Sequence, residues 1–262
     1  SQPVISAFGQ KGMKENTVPE GEFVLGYKYG YKEYPESPQV KKSKDPGKLL
    51  PKSPSHRGML DFGKNGTYMV FRQMRQNVAG FWNMVMASAQ KEKKGSGIED
   101  AIYLASKMVG RWPNGTPMTL SPNQEDPNEP GDTNDFLFFK NDPDGKGCPY
   151  SSHVRRCNPR DHMPDNYAKS SLRISNRHRI IRRGRIYGPP LHPSYDPKLL
   201  IQTPDDGVDR GLQFICFNAN IARQFEFIQH DWCHNTRFFG MNNEPDPIIG
   251  IKDIREGDSP HE

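Results

Sequence analysis

The sequence of 262 residues contains no uninterrupted apolar stretch of the roughly 18–20 residues that a membrane-spanning helix needs, so we expect no transmembrane helix. No signal peptide is visible either, because residues 1–5 hold no charged segment followed by an apolar run. The sequence therefore gives no information on the compartment of the protein.

Cysteine is scarce as well, with only Cys148, Cys157, Cys216 and Cys233 in the whole chain. Four cysteines are too few for a disulfide scaffold in a chain of this length. None of them belongs to a Cys-x-x-Cys pair, and no histidine stands at zinc-finger spacing from them. We therefore expect ordinary buried or half-buried thiols and no metal bound through sulfur.

Several common catalytic motifs are also missing. The chain has no Gly-x-Gly-x-x-Gly after a strand, no Walker loop, no His-Glu-x-x-His and no Gly-x-Ser-x-Gly. The usual sequence support for a nucleotide site, a zinc protease or a serine hydrolase is therefore lacking.

Apolar residues are few and loop-forming residues are many. Hydrophobic residues make up 33% of the chain, and 24 Gly and 24 Pro are distributed along it. This composition is typical of a folded core that carries long loops, and it excludes a coiled coil.

The positive charge is concentrated in one segment. The net charge is +5, but residues 150–190 hold ten Arg and Lys against two Asp. Such a segment favours an anionic partner, which could be a nucleic acid, a phosphate or the carboxylates of a cofactor. Because the chain lacks a basic helix and an aromatic-basic strand pattern, we expect no nucleic-acid partner.

Hydrophobic periodicity predicts a mixed fold. The predicted elements are strands at 66–72, 179–182 and 212–217, and helices from Val78, over 98–109 and after the last strand up to about Trp232. Residues 136–139 fit a short strand or an apolar loop anchor, and residues 141–178 show no clear periodicity. The order of elements predicts an α+β fold, with helices on one face of an antiparallel sheet and long irregular loops. Residues 1–66 are expected to be a mostly irregular wrapping segment and residues 67–262 the domain.

Two groups of residues could carry chemistry. His153 lies in the long irregular segment beside three arginines, where like-charge repulsion favours the neutral imidazole that binds metals. On the predicted strand near 179–182, side chains alternate between faces, so Arg182 points away from Ile181 and Arg183. From these residues alone, a solvated basic strand is the preferred interpretation of this second group, and nucleic-acid binding is the alternative.

Together these segments resemble the dye-decolorizing peroxidase family. The segments that carry the resemblance are 21–27, 66–72, 148–160, 179–188, 211–217, 224–229 and 246–250. The most specific is the string His-Val-Arg-Arg-x-Asn-Pro-Arg that begins at His153. The resemblance implies the C-terminal, haem-binding half of that family, which is a ferredoxin-like domain holding one haem b.

The resemblance also implies roles for individual residues. His153 matches the proximal ligand of the haem iron, and Arg182 matches the distal arginine that helps to polarise and cleave peroxide. Asp246 matches a carboxylate that accepts a hydrogen bond from the proximal imidazole, and Glu226 is the weaker candidate for that role.

Further residues match the surroundings of the haem. Arg155 and Arg160 are expected to bind its propionates, which accounts for the basic segment. Leu212 and Phe214 match the apolar distal wall, and Tyr187 matches a position that carries a surface radical in some members.

One part of the family pattern is missing. In the family, the distal Asp belongs to a Gly-x-x-Asp-Gly motif that is closely followed by Ser-Gln-Pro. This chain begins with Ser1-Gln2-Pro3 and contains no such motif. We expect that this chain lacks the N-terminal half of the family pattern. The distal Asp is then expected to come from that missing half or from a second chain.

The implied function is a haem-dependent peroxidase that uses hydrogen peroxide to oxidise dyes, phenols or other small aromatic reductants. The alternative is a haem-binding half-subunit or fragment without turnover of its own, because the distal Asp motif is missing. We expect no membrane partner.

Overall fold

The structure is a computed structural model that describes residues 17–92, 97–128, 133–163 and 167–251. The Ser1-Gln2-Pro3 segment lies outside the described residues, as do the beginning of the expected region 1–66 and the end of the expected region 67–262. None of the described helices is long and apolar enough to cross a membrane.

Five strands and six α-helices are present in the described part of the chain. The strands are β1 (Gln39–Lys41), β2 (Met59–Asp61), β3 (Tyr68–Arg75), β4 (Ile181–Tyr187) and β5 (Gly211–Asn218). The helices are α1 (Val78–Glu92), α2 (Ile98–Val109), α3 (Phe138–Asn141), α4 (His153–Cys157), α5 (Ala168–Arg177) and α6 (Pro197–Gln202). A final helical segment with π-type hydrogen bonding, here called the π segment, comprises Ala222–Glu226 and Ile228–His234.

The main sheet has the strand order β3-β5-β4, and both neighbouring pairs are antiparallel. β3 and β4 therefore run in the same direction with β5 between them, and helices α1 to α5 lie between β3 and β4 in the sequence. This is a split βαβ arrangement, as in ferredoxin-like domains. The predicted α+β fold with an antiparallel sheet is confirmed.

The two faces of this sheet differ. Arg182 pairs with Cys216 across the strands, so these side chains share one face with Phe214 and Leu212. Phe225 of the π segment packs on this face, with its ring centroid 6.0 Å from that of Phe214. The helical cover lies on this side.

The opposite face of the sheet carries exposed apolar side chains. Met69 and Phe71 of β3 are 57% and 52% exposed, and Ile181 of β4 is 42% exposed. Within the described residues, nothing covers these three side chains.

The largest apolar core lies away from the sheet, between α1 and α2. Val85 and Ala101 are fully buried at the contact between the two helices, and the core is completed by Met118 from the following loop and Phe138 from α3. The apolar spacing in the sequence predicts both helices, and α2 has the predicted bounds.

Residues 136–141 and 168–177 differ from the sequence-based expectation. Residues 138–141 form the short helix α3 and no strand. Helix α5 was not predicted, because its buried positions are serines: Ser175 Oγ donates to the Arg160 carbonyl at 2.7 Å, and Ser171 Oγ accepts from Met163 N–H at 3.2 Å. A helix that buries small polar side chains leaves no apolar periodicity in the sequence.

A buried carboxylate ties the segment before β1 to the end of the sheet. Glu22 is fully buried, accepts the Gly30 N–H at 2.9 Å and pairs with Arg223 at 2.7 Å. Its backbone oxygen accepts from Ala219 N–H and from Gln224 Nε2. Burial raises the pKa of Glu22 and outweighs the opposing effect of Arg223.

We expect Glu22→Ala to lower the free energy of unfolding by about 3 kcal/mol, because it leaves the largely buried Arg223 without its partner. Chemical denaturation of the chain measures the change. Glu36→Ala, at an exposed position, is the matched control and should change the value by less than about 0.5 kcal/mol. Equal effects of the two variants would contradict a structural role for Glu22.

Candidate functional site

His153 is the first residue of helix α4 and is held by Asp246, which lies 93 positions later in the chain. The His153 Nδ1 atom is 2.9 Å from Asp246 Oδ2. The other carboxylate oxygen accepts the N–H groups of Ile248 and Ile249, at 2.9 and 3.0 Å. Asp246 therefore has a fixed orientation, and it fixes the imidazole ring in turn.

The exposure of the two side chains fits a ligand-binding imidazole. Asp246 is 2% exposed, whereas the side chain of His153 is 28% exposed. When Nδ1 donates its proton to Asp246, the Nε2 atom carries a lone pair at the other edge of the ring. Glu226, the weaker candidate for the carboxylate partner, is exposed on the π segment, and the ring bonds Asp246 instead.

The electrostatic surroundings of His153 differ from the expectation. Burial lowers the pKa of His153, but the nearby Cys157 and Asp246 raise it more strongly, to about 10. Burial also raises the pKa of Asp246, but hydrogen bonds from His153, Ile248 and Ile249 lower it overall. The arginines that were expected to favour a neutral imidazole, Arg155, Arg156 and Arg160, are buried in separate contacts of their own.

A thiol pair lies against the imidazole. Cys157 is one helical turn after His153, and its Sγ atom is 3.6 Å from Nδ1 and 3.7 Å from Nε2. The same sulfur is 3.6 Å from Cys233 Sγ on the π segment. Hydrogen bonding from Cys233 and the charge of His153 lower the pKa of Cys157 to about 5, while the pKa of Cys233 is raised by its bond to Cys157 and by burial.

The sequence predicts that these two cysteines are ordinary buried or half-buried thiols. The spacing His-x-x-x-Cys was the available signal, since residues four apart on a helix share a face. The contact of Cys157 with Cys233, 76 positions away, has no signature in the sequence.

Arg182 projects from the start of β4 on the same sheet face as Phe214 and the Phe225 ring of the π segment. Its neighbours Ile181 and Arg183 pair with Phe217 and Ile215 and therefore point to the opposite face. Arg182 is exposed and forms no hydrogen bond or ion pair within the described ranges of the chain. Its guanidinium is free to bind a small ligand.

The apolar residues predicted for a distal wall share this face. Phe214 stands opposite Gly184, and Leu212 stands opposite Ile186, in the register of β5 and β4. Both side chains are half-buried. The sheet thus presents Arg182 together with the two predicted apolar side chains on one surface.

Tyr187 ends β4 on the other face of the sheet. Its ring lies over Gly211, where a Cβ atom would come within 2.8 Å of Tyr187 Cε1. The side chain is half-buried. Its role as a radical site stays a prediction.

Arg155 is a fully buried side chain with its own protein partners. Its guanidinium donates to Asp142 Oδ2 at 3.1 Å, to the Cys148 carbonyl at 2.7 Å and to His162 Nδ1 at 2.6 Å. It also lies 4.5 Å from the centre of the Phe138 ring. This environment does not support the prediction that Arg155 binds a propionate.

Arg160 lies in a different environment, which has an excess of positive charge. Its Nη1 atom donates to the carbonyls of Asn134 and Phe136, at 2.7 and 2.9 Å. Burial, together with the charges of Arg179 and Arg111, lowers the pKa of Arg160 to about 9. Burial lowers the pKa of Arg179 to about 10. A carboxylate ligand would relieve the repulsion among these guanidinium groups. Arg179 was not among the site residues predicted from the sequence.

A cavity of about 840 Å³ lies elsewhere, between the start of α2, the loop at 112–125 and residues 195–198. None of the predicted site residues lines it. The candidate site is therefore the region of His153, Asp246 and the Arg182 face of the sheet.

Comparison with known proteins gives a consistent match. A family model described as Dyp-type peroxidase, C-terminal, matches residues 56–238. The dye-decolorizing peroxidase msp1 of Mycetinis scorodonius is 32% identical over 203 residues, which cover 76% of this chain and 38% of that protein. A dye-decolorizing peroxidase of Mycena epipterygia is 34% identical over 237 residues, covering 83% of this chain and 42% of that protein.

Solved structures agree with these relatives. A mutant decolorizing peroxidase from Auricularia auricula-judae matches with a TM-score of 0.67 and 26% identity over 96% of this chain and 52% of that chain. DyP2 from an Amycolatopsis species matches with a TM-score of 0.59 and 30% identity over 71% of this chain and 39% of that chain. The chain spans about two fifths of the length of the curated relatives that it matches.

Proposed function

Because the chain belongs to the Dyp-type peroxidase family and matches its C-terminal part, we propose that it binds one haem b and forms the haem-binding part of a peroxidase. Its oxidant is hydrogen peroxide, and its reductants are dyes, phenols or other small aromatic compounds. The observation that carries the proposal is the 2.9 Å contact between His153 Nδ1 and the buried Asp246. Such a carboxylate–histidine pair is the usual arrangement at a metal-binding imidazole.

The described residues near His153 and on the Arg182 face of the sheet fit a haem. His153 offers Nε2 to an iron, and Asp246 strengthens that nitrogen as a donor. Leu212 and Phe214 offer apolar surface to a porphyrin ring on the side of the sheet that carries Arg182. A bound haem supplies the redox chemistry with peroxide and with the reductant.

The propionates of the haem need cationic partners. Arg160 and Arg179 form a positively charged region whose mutual repulsion two carboxylates would relieve. We therefore assign the propionates to Arg160 and Arg179 in place of Arg155, whose guanidinium is engaged by Asp142 and His162.

Arg182 would act on the peroxide itself. Its guanidinium supplies hydrogen-bond donors and a permanent positive charge on the sheet face that also carries Leu212 and Phe214. Positive charge aimed at the leaving oxygen stabilises the negative charge that develops when the O–O bond breaks. This step also needs a proton donor, and the sequence contains no Gly-x-x-Asp-Gly motif that would supply it.

A second candidate function is haem binding without turnover by this chain alone, and the missing Gly-x-x-Asp-Gly motif favours it. Peroxide added to the haem-loaded chain, with and without a dye, separates the two candidates. Dye oxidation by the chain on its own supports the peroxidase. A stable Soret band without dye oxidation supports the binding function, with the distal acid supplied by another part of the protein or by a second chain.

We expect Arg182→Leu to slow the reaction of the haem-loaded chain with peroxide by about 10²–10³-fold, because the developing charge loses its main stabilising group. Stopped-flow absorbance in the Soret region measures the rate. Arg183→Leu is the matched control, since it removes the same charge from the opposite face of β4. If both variants slow the reaction equally, the general charge of the strand is responsible and Arg182 has no specific role.

A further inference from the structure

The two thiols beside His153 form a close pair that the proposed function does not use. Cys157 Sγ and Cys233 Sγ are 3.6 Å apart, although the residues come from α4 and from the π segment. Both are free thiols in the structure. A disulfide bond is about 2.0 Å long, so a small movement of the side chains is enough to join them.

Rigid contacts hold the two backbones in this position. Arg156, which directly precedes Cys157, donates from Nη1 to the carbonyls of Trp232, Cys233 and Asn235, at 2.6, 3.2 and 3.1 Å. The Cys233 carbonyl also accepts the Asp246 N–H at 2.8 Å. Helix α4 and the π segment are thus fixed against each other, and the two sulfur atoms stay in contact.

The other two cysteines have no such arrangement. Cys148 is fully buried, and its sulfur is 2.9 Å from Ser152 Oγ. Cys216 is fully buried on β5, and its sulfur contacts the Asn218 amide at 3.8 Å. Cys157 differs from both because it is half-buried and has a second thiol within reach.

We propose that Cys157 and Cys233 are a redox-active dithiol that a peroxide converts into a reversible disulfide. The half-buried Cys157 sulfur attacks one peroxide oxygen, the O–O bond breaks, and a sulfenic acid and water form. The Cys233 thiol then attacks the Cys157 sulfur and displaces the hydroxyl as a second water. Two thiols lose two electrons and two protons, and one hydrogen peroxide becomes two water molecules.

This reaction changes the surroundings of His153. In the reduced form the Cys157 sulfur contacts both ring nitrogens, at 3.6 and 3.7 Å. In the disulfide that sulfur is bonded to Cys233 and carries no proton, so the imidazole loses its contact with a free thiol. The bond also links α4 to the π segment and closes a loop of the residues between 157 and 233.

The inference goes beyond the proposed function, since the thiol chemistry needs no haem. The test therefore uses the haem-free chain of residues 1–262, reduced and then treated with a small molar excess of hydrogen peroxide. Thiol titration under denaturing conditions and intact mass follow the reaction, and peptide mapping identifies the bond. The variants are Cys157→Ser, Cys233→Ser and, as the matched control, Cys148→Ser.

We expect the wild-type chain and Cys148→Ser each to lose two thiols and two hydrogen atoms of mass, reversibly with dithiothreitol, with a peptide that joins Cys157 to Cys233. The midpoint of thermal unfolding should rise by roughly 5–10 °C, because the cross-link restricts the unfolded chain. Cys233→Ser should instead accumulate a sulfenic acid at Cys157 that dimedone traps. Cys157→Ser should show neither change.

Three results would overturn the inference: no thiol loss in the wild-type chain, direct oxidation of Cys157 to the sulfinic acid without a cross-link, or cross-links only between molecules. A failure of the proposed function is a separate observation, because it appears as the lack of a Soret band on haem addition. Each outcome can therefore occur without the other.

Discussion

His153→Ala should abolish the Soret band that haem produces with the wild-type chain. The substitution removes the imidazole that would bind the iron, and Asp246 is too deeply buried to replace it. Changes in the second coordination shell of metal sites cost about 10–100-fold in affinity, so loss of the ligand itself should weaken haem binding by more than about 100-fold. Absorbance titration with haem measures this loss.

Two controls make this result specific to the bond between iron and nitrogen. His230→Ala removes an exposed imidazole from the π segment and should leave the Soret band unchanged. Added imidazole should restore the band in His153→Ala, because the small side chain leaves space for the free ligand. An unchanged spectrum in His153→Ala, or binding that imidazole does not restore, would show that another residue holds the haem.

Arg155→Met should destabilise the haem-free chain by about 3–5 kcal/mol, which is a large part of the stability of an ordinary domain. The substitution leaves the buried Asp142 carboxylate without its cation and removes donors to the Cys148 carbonyl. Denaturant unfolding of the haem-free chain measures the loss. Arg185→Met, at an exposed position on β4, is the control and should change stability by less than about 0.5 kcal/mol.

This experiment also decides between two roles for Arg155. If the side chain binds a propionate, the haem-free variant should be as stable as the wild type and only the affinity for haem should fall. If it is a structural cation, stability falls before any haem is added. The buried hydrogen bonds to Asp142 and His162 favour the second result.

The sequence predicts those parts of the fold in which apolar residues repeat at regular spacing. Helix α2 has apolar residues on one face, and its bounds were predicted correctly. Helix α5 buries Ser171 and Ser175 and was not predicted, because small polar residues give no periodic signal. The long loop expected at 141–178 therefore contains two helices, α4 and α5.

At the candidate site, the family resemblance identified contacts between residues that are far apart in the sequence, which hydrophobic periodicity and short motifs cannot predict. The pairing of His153 with Asp246 joins positions 93 residues apart, and the resemblance anticipated it. The resemblance implies the same role for Arg155 and Arg160, because a string of arginines has the same appearance whether its side chains face a ligand or the interior. Only the three-dimensional contacts distinguish Arg155 from Arg160.

The strand order has a consequence for folding during synthesis on the ribosome. The central strand β5 is the last of the five strands to leave the ribosome, and β3 and β4 each pair with it and not with each other. The Glu22 backbone oxygen likewise cannot accept its hydrogen bond from Gln224 Nε2 until that residue, 202 positions later, has been synthesised. Until β5 is synthesised, β3 and β4 have unpaired edges, and unpaired strand edges make a nascent chain prone to aggregation.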